Sequence, residues 1–394
     1  MDLKATTQSP HLHWWRNAAV DLINQPETVN DGPVRLGIAV VLSGAAVLFF
    51  RQEALPLLAA SALGALLVLG ALYVGYHRIG LRQAGRLWPG FSRGMTTGLL
   101  FFCLCPPGLP LALVLALAAL AVLLEGWFRG LMVPLAISGV MVAWPLAWLW
   151  HLHAGGGYLS PFQLRPQLEP IALWTKFQLE LDSVRLYTGN VAGSLGSTSF
   201  GLAMLGFLIL AFLRRASWLF LLAFYVPVAA VIALTHNPLP VYLISGTAVV
   251  FAGLVAAEVR SLPLGPWWRM AAGGAAGLVT AALLLRGGGS ESYGEGIIAV
   301  ALLVSLFQLF GLAGSPAVIS EARPARGKSE PSGQTSPAQL AALVVFPPAG
   351  LLMVWRDKSL PPSQRKILGG LGLILYILVL GAALLWLWAL RLPA

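Results

Sequence analysis

Between Tyr187 and Ser199 the chain reads Tyr-Thr-Gly-Asn-Val-Ala-Gly-Ser-Leu-Gly-Ser-Thr-Ser, and an apolar run follows at once. Gly189, Gly193 and Gly196 allow tight turns and close backbone approach. Asn190, Ser194, Ser197, Thr198 and Ser199 supply short polar side chains between them. A turn of this kind before a helix presents N–H groups and hydroxyls to an anion, above all to a phosphate. A second place of similar make-up is Gly94-Met95-Thr96-Thr97-Gly98-Leu99.

Other residues able to do chemistry read more plainly. Cys103 and Cys105 are the two cysteines of the chain. Thiolates can share an iron–sulfur cluster with a partner, but a single C-x-C in an apolar helix reads first as two small hydrophobes. His151 and His153 point about 200° apart on a helix, so they do not converge on a metal and suit an interfacial belt beside Trp148 and Trp150. His236 falls in a turn. Glu125, Glu258 and Glu295 lie at span ends, where a carboxylate reaches headgroup water or serves a function. Glu295 stands in Tyr293-Gly294-Glu295-Gly296.

The elements that must position these residues are membrane helices. Of 394 residues, 58% are hydrophobic and 10% charged, and mean hydropathy is +0.79. A soluble domain carries roughly a quarter charged residues, and the few charges here cannot cover the surface of so long a chain. In lipid each backbone polar group must be paired within a helix or a closed barrel. The apolar stretches are continuous rather than alternating, which selects helices. The net charge of +10 sits in short loops, where it sets orientation, so nucleic acid is not an expected partner and the lipid bilayer is. Residues 1–33 lack the apolar core of a signal peptide and read as a cytoplasmic or interfacial segment carrying His11, His13, Trp14 and Trp15.

Spans are expected near 36–50, 57–76, 95–107, 109–124, 131–150, 198–213, 218–234, 239–257, 270–285 and 296–313. The third reads as a half-helix stopped by Pro106-Pro107. A linker at 314–336 follows, then a hairpin at 337–394 with spans near 337–355 and 366–390. Basic residues favour the amino-terminal side, which holds Arg78, Arg82, Arg86, Arg93, Arg214 and Arg215, so the amino terminus is expected in the cytoplasm. The basic loop from Arg356 to Lys366 falls on the outer side by the same count. Residues 151–195 form a long outward segment.

Two short stretches recur. Gly94 to Leu99 resembles Gly196 to Leu202, and Ala136-Ile137-Ser138-Gly139-Val140 resembles Leu243-Ile244-Ser245-Gly246-Thr247. An odd number of spans between copies would invert the second half. Helix starts at Thr96 and Thr198 would then aim their positive ends at a shared centre.

The segment Gly189 to Ser199, with the turn Arg214-Arg215-Ala216-Ser217-Trp218, resembles the RnfD/NqrB family, membrane proteins of the Rnf electron-transport complex and of the sodium-pumping NADH:quinone reductase. That family has G-N-x-x-G-S-x-G-E-T-S and an R-x-x-S-W turn. Thr97-Gly98-Leu99-Leu100, Leu243 to Gly246 and Tyr293 to Gly296, where the family has Y-P-E-G, add to the likeness, which covers residues 90–312 and assigns Glu295 to the site. The resemblance implies a core at 34–313 of two inverted five-helix halves. It also implies flavin mononucleotide (FMN) and electron transfer alongside other membrane redox subunits in the cytoplasmic membrane, coupled to ion movement. The chain departs from the pattern in four places. Ser197 stands for Glu, Ala257-Glu258-Val259-Arg260 for T-D-P-V, and Arg129 to Ala136 for N-P-F-N-P-A. The attachment sequence S-G-A-T has no counterpart in Leu168 to Thr175, which leaves FMN bound non-covalently or lost.

The expected fold is therefore all-α: a polytopic membrane bundle of about ten spans as two inverted halves, with a terminal two-helix hairpin. Gly189, Asn190, Gly193, Ser194, Gly196, Ser197, Thr198 and Ser199 form the expected site wall, faced by Thr96 and Thr97. Three functions follow from it. The first is a flavin-linked redox subunit, in which the chain holds or passes electrons rather than breaking substrate bonds. The second is a channel or transporter for a small solute on the same scaffold. The third is a structural subunit that docks through its hairpin.

Overall fold

The computed structural model describes residues 32–78, 87–130, 137–155, 157–179, 182–213, 215–257 and 266–309. Residues 1–31, Glu258, the start of the span expected at 131, the linker and the terminal hairpin lie outside the described residues.

The described chain is helical apart from one small β-pair. α1 (Gly32–Phe50) and α2 (Ala54–Arg78) are followed by α3 (Leu87–Leu104), α4 (Leu111–Gly130) and α5 (Gly139–His153). The outward segment holds β1 (Tyr158–Leu159) paired antiparallel with β2 (Pro166–Gln167), then the short helices α6 (Pro170–Phe177) and α7 (Ser183–Thr188). α8 (Phe200–Phe212), α9 (Trp218–Leu234), α10 (Leu239–Leu243) and α11 (Gly246–Val249) follow. α11 continues as a π-helix over Val250–Ala256, and α12 (Pro266–Leu285) and α13 (Glu291–Leu309) complete the set.

The helix starts are set by serine. Ser138, Ser199, Ser217 and Ser245 each accept a backbone N–H from the first turn of α5, α8, α9 and α11, satisfying donors that a helix leaves unpaired. α3 stops at Leu104 because Pro106 and Pro107 cannot continue it, and Gly108 turns the chain at φ 82°.

Gly32–Phe50, Ala54–Ala71 and Trp268–Leu285 are long and apolar enough to cross a membrane, and Leu111–Gly126, Phe200–Phe212, Trp218–Leu234 and Gly246–Ala256 are shorter apolar helices. Leu48 on α1, Leu67 on α2, Phe212 on α8 and Val226 on α9 are more than half exposed. Outward apolar side chains spread over so many helices mark a surface meant for lipid rather than water. This is an all-α membrane protein.

Packing follows one order in both parts of the bundle. α1 lies on α3, α2 on α4 and α4 on α5. Likewise α8 lies on α11 and its π-extension, α9 on α12 and α12 on α13. Glycines make the close approaches. A Cβ at Gly64 of α2 would strike the Leu115 carbonyl of α4, and one at Gly277 of α12 would strike the Phe224 carbonyl of α9. The parts meet where α5 and α13 touch and where α3 meets the π-helix. There Trp144 sets its ring 4.7 Å from that of Phe251. A Cβ at Gly294 would come within 2.8 Å of the same indole.

Two expectations are corrected. The third span is no half-helix starting near Thr96, since α3 begins at Leu87 and runs 18 residues. Pro89 falls in its first turn, where a missing N–H costs nothing. The broken helix lies instead at 239–257, interrupted at Ile244 and Ser245. The short sequence matches also fall on elements of different rank, the third against the first and the fifth against the third by packing order. Their likeness is local. Ser138 and Ser245 both cap a helix, and the glycine after each packs on a carbonyl, that of Ala121 or of Ser197.

Candidate functional site

The Gly/Ser bend is built against the end of α3. The last carbonyls of a helix have no partner within it. Here the Gly196 N–H donates to the Cys103 carbonyl at 2.9 Å and the Leu195 N–H to that of Cys105 at 3.0 Å. The Trp144 indole N–H takes the carbonyl between them, Leu104, at 3.2 Å. So intimate a docking needs glycine. A Cβ at Gly196 would lie 2.5 Å from Cys103 Sγ and 2.9 Å from its Cα. Gly189 ends α7 at φ 93°, and a Cβ there would lie 2.8 Å from Ser199 Cα.

The bend's other side faces α11. Ser197 and Thr247 share a hydroxyl hydrogen bond of 3.0 Å, and a Cβ at Gly246 would overlap the Ser197 carbonyl. Ser199 caps α8 and donates its own proton to the Tyr187 carbonyl at 3.3 Å. Residues 191–199 are all buried. Between the bend, α11 and the outward segment lies a cavity of about 30 Å³ walled by Glu169, Ile171, Ser197, Thr198, Thr247 and Ser290. It has room for one or two waters. The Thr198 hydroxyl is buried and has no hydrogen-bond partner among the described residues.

The structure distributes the expected site residues as follows. Gly193, Ser197 and Thr198 line the cavity. Ser194 is buried and faces Tyr158 of β1. Gly189, Gly196 and Ser199 hold the bend in place behind it. Asn190 is exposed, its N–H bonded to the Arg185 carbonyl at 3.0 Å. Thr96 and Thr97 are buried within α3, and their hydroxyls return to the Ser92 and Arg93 carbonyls at 2.7 and 3.1 Å. Thr96 is seven residues from Cys103, about 10 Å along the helix from where the bend docks. Glu295 is exposed on α13. Its neighbours carry the packing instead: Tyr293 donates to the Tyr242 carbonyl, and a Cβ at Gly296 would overlap the Thr280 hydroxyl.

The acid that does reach the cavity is Glu169. It stands just before α6, where Pro170 opens the helix. Its carboxylate accepts the Ser290 N–H at 2.8 Å and the Ser290 hydroxyl. Burial, and then the nearby Glu291, push its pKa up to about 7. The Tyr158 phenol is pushed up too, by burial first and by Glu169 and Glu291 after it. Sequence reading passed over Glu169 because it sits in a long polar segment. The one available signal was an acid directly before a proline that starts a helix.

The remaining candidates have structural partners. Glu125 accepts the Ser138 hydroxyl at 3.0 Å and the Gly139 N–H at 2.9 Å, capping α5. Cys103 lies 3.6 Å from the Ser43 hydroxyl, and both thiols are free and buried. His151 turns inward against Trp148 and Tyr158, with ring centroids at 5.3 and 5.1 Å, while His153 is exposed. His236 takes φ 57° in its turn. Among the described residues no cluster of His, Cys, Asp and Glu could hold a metal ion.

The cavity fits FMN in its chemistry but not in its size. Hydroxyls of Ser197, Thr198 and Thr247 suit phosphate oxygens, but a space for one or two waters does not fit a phosphate ester with its tricyclic ring. Neither a family model nor a curated protein matches this chain.

Proposed function

We propose that this protein is an integral membrane subunit of an electron-transport complex similar to the Rnf and Nqr complexes. It is seated in the cytoplasmic membrane with its amino terminus inside, and works beside other redox subunits. Its core is read as two inverted halves of five helices each. The repeated packing order supports the halves, and an odd number of crossings between equivalent elements would invert them. The observation that carries the reading is the bend at 189–199. Gly196, in the matching stretch, docks the bend on the end of α3, and Gly246, also part of the likeness, packs it on α11. The FMN that the resemblance implies is not placed in this cavity.

The test is purification of the full chain from native membranes. Co-purifying membrane subunits with flavin or iron–sulfur absorbance that bleaches on reduction would support the reading. A colourless preparation without redox-active partners would overturn it.

A second reading, a channel or transporter for a small polar solute, draws on the small hydroxyl-lined cavity between the bend, α11 and the outward segment. Flux of such a solute into liposomes by the purified chain, abolished by Thr198→Trp, would favour it.

A further inference from the structure

Glu169 and Glu291 come from distant parts of the chain and flank one backbone position. A Cβ at Gly289 would overlap Glu169 Oε1 and lie 2.6 Å from Glu291 Oε2. Glycine there leaves space in which the two carboxylates face each other. Their donors belong to the start of α13: Ser290 gives its N–H and hydroxyl to Glu169, and Gly289 gives its N–H to Glu291 at 2.9 Å. Unpaired N–H groups and the dipole of a helix start favour negative charge. A second carboxylate so close still makes the ionised form of Glu169 costlier.

Among the described residues, no cation is among the groups that act on Glu169. Glu291 and Tyr293 come from α13, and Tyr158 from β1 has His151 of α5 packed on its ring. The charge acting on Glu169 is that of Glu291.

Glu169 and Ser290 are also part of the cavity wall. Another part is Thr198, 5% exposed, whose hydroxyl has no partner among the described residues. A proton leaving Glu169 therefore meets a space of water size beside a hydroxyl ready to orient its occupant.

We propose that Glu169, set against Glu291 at Gly289, is a proton-binding site that exchanges its proton with water in the cavity against Thr198. The step is a simple transfer. Glu169 gives its proton to a cavity water, leaving a carboxylate and a hydronium, and the return restores the acid. It involves no electron and does not depend on whether the protein serves a redox complex.

The test is an infrared titration of the full chain in lipid nanodiscs, following the protonated-carboxyl stretch and its shift in heavy water. The wild type is expected to show one carboxyl titrating near neutral pH, and Glu169→Gln to lose it. Glu291→Gln keeps Glu169 but removes its like-charged neighbour, so the proton affinity is expected to fall by about tenfold or more. That variant keeps the idea testable if Glu169→Gln does not fold. Changing sodium at fixed ionic strength is expected to leave the midpoint in place. The proposal is overturned if no carboxyl titrates near neutrality, if the signal survives in Glu169→Gln, if Glu291→Gln leaves the midpoint unmoved, or if sodium displaces the proton.

Discussion

Replacing Gly196 by alanine tests the docking of the bend on α3 with the smallest change available. The new methyl would sit 2.5 Å from Cys103 Sγ, 2.7 Å from its Cβ and 2.9 Å from its Cα. The last of these is backbone, so a side-chain rotation cannot relieve the clash. Overpacking of this kind costs about 1–3 kcal/mol. Pushing the bend outward also stretches the Gly196 to Cys103 and Leu195 to Cys105 hydrogen bonds, each worth about 0.5–1.5 kcal/mol. The two effects together destabilise the protein by about 2–6 kcal/mol. The control is Gly193→Ala, whose methyl would meet Thr198 Cγ2 at an ordinary 3.5 Å and should change stability little. Thermal unfolding of detergent-solubilised protein, followed by intrinsic tryptophan fluorescence, measures both. Equal midpoints for Gly196→Ala and wild type would show that the bend does not press on α3.

Three further outcomes follow from the same geometry. Glu125→Ala strips the cap from α5, leaving the Ser138 hydroxyl and Gly139 N–H without their acceptor, and should cost about 1–3 kcal/mol in the same unfolding assay. Gly277→Val forces a branched side chain onto the Phe224 carbonyl and Pro227 ring. It should separate α9 from α12 and expose that helix pair to limited proteolysis, whereas Gly44→Val, with nothing within 4 Å, should not. Glu169 has a folded pKa of about 7 against an ordinary 4.5, so the folded state holds more protons than the unfolded one between those values. Stability should therefore fall as pH rises from about 4.5 to about 7, by at most about 3 kcal/mol, and level off above. The slope should vanish in Glu169→Gln.

The helices were legible because hydrophobic runs and their punctuation are local properties. The run Leu111 to Leu124, the Pro106-Pro107 stop and the serines before α8 and α9 each announce an element boundary without any tertiary information. The bend at 189–199 was legible for a related reason. Glycines spaced among small hydroxyl residues record close backbone approach, and two of them, Gly189 and Gly196, are indeed pressed against other backbone. What failed was partner choice. Thr96 and Thr97 resemble a helix start in composition, yet their hydroxyls return to their own helix, as threonine does readily in apolar surroundings. Glu295 looked like the site's acid because of its neighbours, but helical periodicity turns it outward while Tyr293, Gly294 and Gly296 face in. Glu169 and Glu291 are 122 positions apart, and only the fold brings them to the same glycine.

A bend that forms an inner wall between α3 and α11 must hold Ser197 against Thr247, and a paired-cysteine experiment addresses that directly. The Ser197 and Thr247 hydroxyls are 3.0 Å apart, so sulfurs at the same two positions would be brought together once both residues are cysteine. In native membranes, Ser197→Cys with Thr247→Cys should join rapidly under mild oxidation, giving a linked peptide by mass spectrometry, and either single variant should give none. Failure to join, with both thiols reacting freely with a water-soluble maleimide, would mean that the bend faces water instead of α11.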